Sequence, residues 1–379
     1  MRHHLAPPAR AADVVGLAGD LVGLHGSDPA SVFLSAAARL RKPAGAVNAL
    51  ERALYDARAL VRTLCMRRTM FVVPVDLVPI VQAACTDPLV PAERRRLARM
   101  IEDNGIASDG ARWLRKVEAD TLAELETRGE ATGSELSKAV PGLREQLAFG
   151  AGKTWAGTVG VSTRVLFLLS TEQRVVRGRP KGSWTSSQYR WSPMETWLPG
   201  GVPSMAADVA RTELARRWLA AFGPATTGDL KWWSGWTVAQ TKGALAAVRA
   251  VEVELEEGTG WVLPGDDGPV RAPRPWVSLL PGLDPTTMGW RQRDWYLGDH
   301  GKLLFDTTGN AGPTVWVNGR VVGGWAQRRT GEVVHQLLDD VGRDAATAVD
   351  RAAADLQAWL GNVRVTPRFP SPLQKQLSS

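Results

Sequence analysis

The spacing of apolar residues changes from a helical to an alternating period within the first 75 residues, and this change restricts the fold more than any other feature. Apolar side chains first recur about every 3.6 residues, and Asp28-Pro29 is typical of a helix N-cap followed by a first-turn proline. Helices are predicted over residues 10–24, 30–40 and 44–56. Apolar and polar residues then alternate from 59 to 73, as in a β-hairpin. Helices followed by a β-ribbon predict a winged helix-turn-helix unit.

The same order of elements returns twice along the chain. ATGSEL at residues 131–136 and ATTGDL at 225–230 are similar, and each begins a helix that follows a longer one. Each is followed by two predicted strands, over 174–176 and 187–191 in the first case and over 251–255 and 260–263 in the second. The basic, aromatic segment 177–184 is predicted to be the tip of a second wing. The whole chain is thus expected to be α+β, mainly helical, with three tandem winged helix-turn-helix units.

A segment rich in Gly, Pro and Asp, residues 266–275, marks a boundary after the third unit. Beyond it, Asn318-Gly319 lies between two apolar runs and predicts a type I′ hairpin, and 341–360 predicts a closing amphipathic helix. No pattern continues beyond Pro367, so the tail is expected to be disordered. We divide the chain into a first winged helix with a catalytic loop (1–75), a helical linker with a second winged helix (76–200), a third winged helix (201–265) and a C-terminal β-hairpin region with its helix (266–379).

Several classes of protein are excluded by what the sequence lacks. Two cysteines and five scattered histidines exclude a disulfide scaffold and a zinc or iron–sulfur site, and no phosphate-binding glycine motif is present. We therefore expect no cofactor, no nucleotide and no metal. No apolar run reaches the roughly 18 residues of a membrane span, and the start of the chain does not resemble a signal peptide. We expect a cytoplasmic monomer that does not bind membranes.

The charge balance is compatible with an anionic partner, although charge alone favours a solvated surface. The chain has 46 basic against 39 acidic residues, a net charge of +7, and 16 tryptophans that can fill cores or stack on bases. Candidate DNA-binding residues on the predicted wings and in the C-terminal region are Arg67, Arg68, Arg177, Arg179, Lys181, Trp184, Arg291 and Arg293. In the alternative interpretation the arginines form a solvated surface and Trp184 is a packed indole. The Trp232-Trp233 pair lies in an apolar helix and is assigned to the core.

The loop between the first two helices, His25-Gly26-Ser27-Asp28, is the place where an imidazole, a hydroxyl and a carboxylate fall within four residues. A structural interpretation also explains it, because Asp28 can cap the second helix and His25 can interact with a helix end. The pattern alone favours this structural interpretation.

The chain resembles a winged-helix family of bacterial DNA glycosylases that includes AlkZ and YcaQ. The matching segments are 24–40, 69–74, 223–226, 232–235, 279–285, 313–315 and 321–323. This resemblance implies three winged helices around a concave DNA-binding channel that acts on alkylated purines and, in some members, on interstrand crosslinks. Members carry Gln-x-Gln or Gln-x-Asp in the catalytic loop, whereas this chain has His25, Gly26 and Ser27. The chemistry of the loop has therefore been either retuned or lost.

Our main hypothesis is a monofunctional DNA glycosylase that removes bulky or N7-alkylated purines from double-stranded DNA. An N7-alkylated purine is already cationic and leaves as a neutral base, so the site need only stabilise the sugar and deliver water. We assign His25 to hold or deprotonate that water, Ser27 to orient it and Asp28 to add negative charge. The resemblance implies crosslink repair or self-resistance to a DNA-damaging antibiotic as the role. The alternative is a non-catalytic winged-helix DNA-binding protein, either a regulator or a lesion-binding factor.

Overall fold

Two hydrophobic cores organise the computed structural model, which describes residues 1–256 and 258–379. One core joins the N-terminal unit to the third unit and to the C-terminal region. The other belongs to the second unit. The mixed, largely helical α+β composition expected from the sequence is confirmed. No helix in the described part of the chain is both long and apolar enough to cross a membrane.

The first unit contains the predicted helices and ribbon together with one short strand that periodicity does not reveal. Its elements are α1 (Val14–Asp20), β1 (Leu24–His25), α2 (Pro29–Ala37), α3 (Ala46–Glu51), β2 (Leu60–Leu64) and β3 (Met70–Pro74). The Asp28 side chain accepts a hydrogen bond from the Ala30 amide, which confirms the predicted cap of α2. The sheet has the order β1-β3-β2, so the short strand pairs with the second strand of the ribbon.

The linker contains α4 (Val78–Val81) and α5 (Val90–Asp103), and the second unit follows it. Its elements are α6 (Gly110–Arg128), β4 (Ala131–Thr132), α7 (Gly133–Ala139), β5 (Gln146–Phe149), β6 (Gly157–Gly160), α8 (Val161–Thr171), β7 (Val175–Pro180), β8 (Tyr189–Pro193) and α9 (Met194–Trp197). The sheet has the order β4-β8-β7. The β5–β6 hairpin was not predicted from the sequence, and it is inserted between α7 and α8.

The third unit repeats this topology. Its elements are α10 (Ala207–Phe222), β9 (Ala225–Thr226), α11 (Thr227–Ser234), α12 (Val238–Ala247), β10 (Val251–Leu255) and β11 (Gly258–Val262), in a sheet of order β10-β11-β9. The similar sequences ATGSEL and ATTGDL have the same local structure, because Thr132 with Glu135 and Thr226 with Asp229 each form a capping box. In all three units a helix, a short strand, two helices and a hairpin follow one another, and the short strand pairs with the second hairpin strand.

The C-terminal region forms a four-stranded antiparallel sheet covered by helices. Its elements are β12 (Val277–Leu280), α13 (Asp294–Leu297), α14 (Gly301–Leu304), β13 (Thr314–Val317), β14 (Arg320–Gln327), β15 (Val333–Leu337), α15 (Arg343–Leu360) and α16 (Pro372–Ser378). Asn318 and Gly319 both have positive φ, as the predicted type I′ turn requires. The expectation of a disordered tail is wrong, because α16 packs on β14 and buries Leu373.

A buried ion pair joins the first unit to the C-terminal region. The Arg39 guanidinium donates to both oxygens of Asp284, at 2.8 and 2.6 Å, and both side chains are fully buried. The Ser35 hydroxyl also donates to Asp284, at 2.7 Å. This network fixes α2, and with it the loop that precedes α2, relative to the segment that follows β12.

Candidate active site

A cleft of about 700 Å³ lies between the first unit, the second unit and the segment that precedes α16. The first unit contributes the Gly26-Ser27 loop, and the second unit contributes the start of α7 and the β7–β8 hairpin. The charged residues that line the cleft are Glu135, Lys138, Arg177, Lys181 and Arg368. Because basic residues outnumber the single carboxylate in this lining, the cleft favours an anionic ligand.

Both backbone polar groups of Gly26, its amide and its carbonyl, are hydrogen-bonded. Its amide donates to the Met70 carbonyl at 2.7 Å, and its own carbonyl accepts from the Arg62 guanidinium at 2.8 Å. A Cβ at this position would lie 2.9 Å from Arg62 Nη1 and 3.3 Å from the Met70 oxygen. The loop therefore needs glycine between His25 and Ser27 for reasons of space.

Of the predicted catalytic residues, Ser27 is the one that the structure places in the lining of the cleft. Asp28 is buried beside it, but its carboxylate is already occupied by the backbone. One oxygen accepts from the Ala30 amide and the other from the Arg368 amide, each at 2.9 Å. Asp28 thus caps α2 and anchors the C-terminal segment, and this geometry does not favour its assigned role near the sugar.

His25 lies under the loop and does not line the cleft. Its ring packs against Phe71, with the ring centroids 4.8 Å apart, and Nδ1 has no hydrogen-bond partner among the described residues. Burial, with a further contribution from the Arg67 charge, lowers the pKa of His25 to about 3. The imidazole is therefore neutral at pH 7 but a very weak base. Its low pKa and its position outside the cleft lining both argue against direct removal of a proton from water by His25.

The predicted basic residues of the second wing have different surroundings. Arg177 and Lys181 line the cleft. Burial, followed by the nearby Arg62 charge, lowers the pKa of Arg177 to about 10. Arg179 instead lies outside the cleft and pairs with Glu51 at 3.1 Å and with Asp56 at 2.9 Å. Its charge is neutralised by the first unit, which it joins to the second.

The predicted basic residues of the first wing and of the C-terminal region lie away from the cleft. Arg68 pairs with Glu93 at 2.6 Å. Arg67 and Arg293 both stack on the ring of Trp232, at 3.9 and 5.2 Å from its centroid. The fourth residue of this group, Arg291, is exposed. Trp233 is buried as expected, and Trp232 is half-buried and packs against the same core, so the assignment of the pair to the core is confirmed, with Trp232 at its edge.

Trp184 does not lie at an exposed wing tip. The loop between β7 and β8 folds back on the first unit, and the indole is buried against Phe33 and Trp359, with ring centroids 5.1 and 5.9 Å away. This is the packed indole of the alternative interpretation. The large exposed aromatic of the second unit is instead Trp155, between β5 and β6, with 64% of its surface accessible.

Glu135, Tyr189 and Arg368 are among the residues of the cleft that were not predicted as site residues from the sequence. Glu135 carries the carboxylate of the α7 capping box, and hydrogen bonds from the Thr132 backbone and hydroxyl lower its pKa. Tyr189 and Arg368 reach the cleft from distant parts of the chain. The Thr-x-x-Glu spacing was visible as a helix start, but no local pattern places it opposite Ser27. Among residues 1–256 and 258–379, no group of three or more His, Cys, Asp or Glu side chains could hold a metal ion.

Small units of one topology around a basic cleft are features of nucleic-acid-binding proteins. The chain belongs to the AlkZ-like DNA glycosylase family, whose model matches residues 18–359. The fold is also that of a solved structure, the DNA glycosylase AlkZ from Streptomyces sahachiroi. That similarity has a TM-score of 0.71 at 20% sequence identity and covers 97% of this chain and 96% of that chain. A search of curated proteins found no match.

Proposed function

We propose that this protein is a monofunctional DNA glycosylase that hydrolyses the N-glycosidic bond of N7-alkylated or bulky purines in double-stranded DNA. The observation that carries the proposal is the position of Ser27. It belongs to the loop that resembles the family's catalytic loop in sequence, and it lines a cleft in which basic residues predominate. In this proposal the three units of repeated topology are winged helices, and the surface that they form around the cleft is the DNA-binding channel.

The chemistry needs two side chains on opposite walls of the cleft. Ser27 orients the attacking water, because its hydroxyl makes no hydrogen bond to the described residues and is free to contact a ligand. Glu135 provides negative charge for the cationic sugar of the transition state, since its pKa is lowered and the carboxylate is ionised at pH 7. His25 supports the loop from below as a positioning residue.

A bulky substrate fits the dimensions of the cleft. A volume of about 700 Å³ is within the range of pockets that hold drug-sized ligands, and it exceeds what a single methyl adduct requires. We therefore extend the proposal to purines carrying the adduct of a DNA-damaging natural product, including one strand of an interstrand crosslink. Self-resistance is the role that such a substrate would serve.

The test is a single-turnover incubation with a duplex containing 7-methylguanine or a bulkier N7 adduct, followed by alkaline cleavage of abasic sites. We expect the parent protein to release the base and Ser27→Ala to lose at least about 100-fold in rate. Ser204→Ala removes the same hydroxyl from an exposed position outside the cleft and serves as the matched control, with an unchanged rate. Equal rates for Ser27→Ala and the parent would refute the site.

The same incubation without alkali tests the monofunctional assignment. Lys138 and Lys181 line the cleft, and an amine nucleophile is what a strand-cleaving lyase needs. We expect intact strands before alkali and no protein–DNA adduct after borohydride reduction. A covalent adduct would replace the assignment with a bifunctional one.

A second candidate, a non-catalytic DNA-binding protein, is favoured by the burial of His25 and by the engagement of both Asp28 oxygens. The two candidates differ in what happens to the adduct. Tight DNA binding with every adduct left intact would favour the second candidate, and sequence preference would then identify a regulator.

A further inference from the structure

At the cleft, the ring of Tyr189 lies close to two arginine side chains. The guanidinium carbons of Arg62 and Arg177 lie 4.9 and 5.6 Å from the centroid of the Tyr189 ring. Arg177 and Tyr189 line the cleft, and Arg62 lies behind the loop and holds the Gly26 carbonyl. Arg368 adds a second guanidinium group to the cleft lining.

These side chains keep several hydrogen-bonding atoms without partners. Arg62 is only 2% exposed, yet its Nε and Nη2 atoms have no acceptor among the described residues. Arg177 Nε and the buried Tyr189 hydroxyl also have no hydrogen-bond partner among the described residues. Buried polar groups are almost always hydrogen-bonded, so this concentration of unmet donors indicates an absent acceptor.

The positive charge of the group is also unbalanced. Arg68 and Arg179, which lie nearby in the sequence, each pair with a carboxylate. In residues 1–256 and 258–379, no carboxylate lies within ion-pair distance of Arg62, Arg177 or Arg368. Burial, followed by repulsion from the Arg62 charge, lowers the pKa of Arg177, which is the direction expected when no counter-charge is present.

We propose that Arg177, supported by Arg62 and Tyr189 and flanked by Arg368, forms a phosphate-binding subsite that holds one phosphodiester of the DNA strand beside Ser27. Guanidinium groups suit this ligand because their planar donors match phosphate oxygens in pairs. Because Arg62 also holds the Gly26 carbonyl, a phosphate bound here would be tied to the loop that carries Ser27. The subsite rests on the proposed function for taking DNA as the source of the phosphate.

The first test is the salt dependence of DNA binding. Removing one phosphate contact reduces the slope of log K against log salt by about 1. We expect this change, with at least about tenfold weaker binding, in Arg177→Gln. Arg328→Gln is the matched control, because it removes the same charge from a side chain outside the cleft that pairs with Glu332. An unchanged slope in Arg177→Gln, with thermal unfolding like that of the parent, would overturn the subsite.

The second test identifies the phosphate. Single neutral methylphosphonate linkages are placed in turn along the strand that contains the adduct. We expect one linkage near the adduct to weaken binding by the parent and to cause no additional loss in Arg177→Gln. If every linkage weakens both proteins equally, while inorganic phosphate alone raises the melting temperature of the parent but not of Arg177→Gln, the subsite binds free phosphate and the DNA contact is refuted.

Both tests measure binding and are independent of catalysis. A slope that falls by one in Arg177→Gln, in a protein that leaves every adduct intact, would support the subsite and refute the glycosylase. Excision by the parent together with an unchanged slope in Arg177→Gln would support the glycosylase and refute the subsite.

Discussion

Gly26 shows how a single residue determines the shape of the candidate active loop. Its amide donates to the Met70 carbonyl and its carbonyl accepts from the Arg62 guanidinium. Met70 belongs to the central strand β3, and Arg62 is almost completely buried. The space between these two groups thus favours glycine in the middle of the His-Gly-Ser sequence.

Gly26→Ala should lower the free energy of unfolding by about 1–3 kcal/mol, because the new Cβ displaces Arg62 or the strand behind it. Urea unfolding at pH 7 measures the effect. Gly243→Ala is the control, since Gly243 lies in α12 with nothing within 4 Å of its Cβ position. It should leave stability unchanged or raise it by up to about 1 kcal/mol. Equal effects of the two substitutions would contradict the close approach at Gly26.

His25 gives the protein a defined sensitivity to acid. Its pKa is about 3 when folded and near 6.5 when unfolded, so between these values the unfolded chain binds a proton that the folded chain does not. The free energy of unfolding therefore rises with pH in this window and falls as the pH drops. The buried His3, whose pKa is also lowered to about 3, mainly by burial, contributes in the same direction.

His25→Leu should reduce this pH dependence by one proton, or up to about 1.4 kcal/mol per pH unit. The measurement is urea unfolding at several pH values between 6 and 4.5. The quantity compared is the slope of the free energy of unfolding against pH, and not the absolute stability. Leucine is chosen because the site next to Phe71 is apolar. Parallel slopes for the parent and the variant would mean that His25 is protonated in the folded protein.

At the scale of the elements, the β5–β6 hairpin is the feature that differs most from the sequence prediction. It is inserted between two helices of the second unit and presents Trp155 with most of its ring exposed. The ring stacks on Phe149, with centroids 6.4 Å apart and planes at 18°, which fixes its orientation. An exposed, oriented indole is suited to stacking on a base.

Trp155→Ala should weaken DNA binding by about 1–3 kcal/mol while leaving thermal unfolding nearly unchanged. Fluorescence anisotropy with a labelled duplex measures the affinity. Trp155→Phe keeps an aromatic face and should restore most of the loss. If alanine and phenylalanine behave alike, the contribution of Trp155 does not come from stacking.

Sequence patterns predicted the longer elements of the three units but not what joins them. Periodicity identifies α10 and the β2–β3 ribbon because their apolar faces recur over many residues. It misses β1, β4 and β9, because a two-residue strand has no period. The burial of Trp184 and the position of Arg368 could not be predicted either, since both depend on contacts with segments far away in the chain.

At the scale of the whole molecule, the Arg39–Asp284 pair is the polar link that holds the candidate active loop in place. Both charges are completely desolvated, and each is satisfied by further hydrogen bonds. Such a pair contributes little net stability against an apolar alternative, but removing one partner leaves a buried charge. The consequence of a substitution therefore depends on whether one or both partners are changed.

Asp284→Leu should lower the free energy of unfolding by about 3–5 kcal/mol. Combining Arg39→Met with Asp284→Leu should recover a large part of that loss, because no unpaired charge remains. A double-mutant cycle by urea unfolding gives the coupling. If the double substitution is as unstable as the sum of the two single ones, the ion pair is not the source of the effect.

The Arg368 amide reaches across 340 positions of the chain to the carboxylate of Asp28, next to Ser27. During synthesis on the ribosome, the loop is made first and Arg368 is made 340 residues later. At about 5–20 residues per second, roughly 20–70 seconds separate the two events. Until then the nascent chain has Ser27 but lacks one part of the lining of the candidate cleft around it.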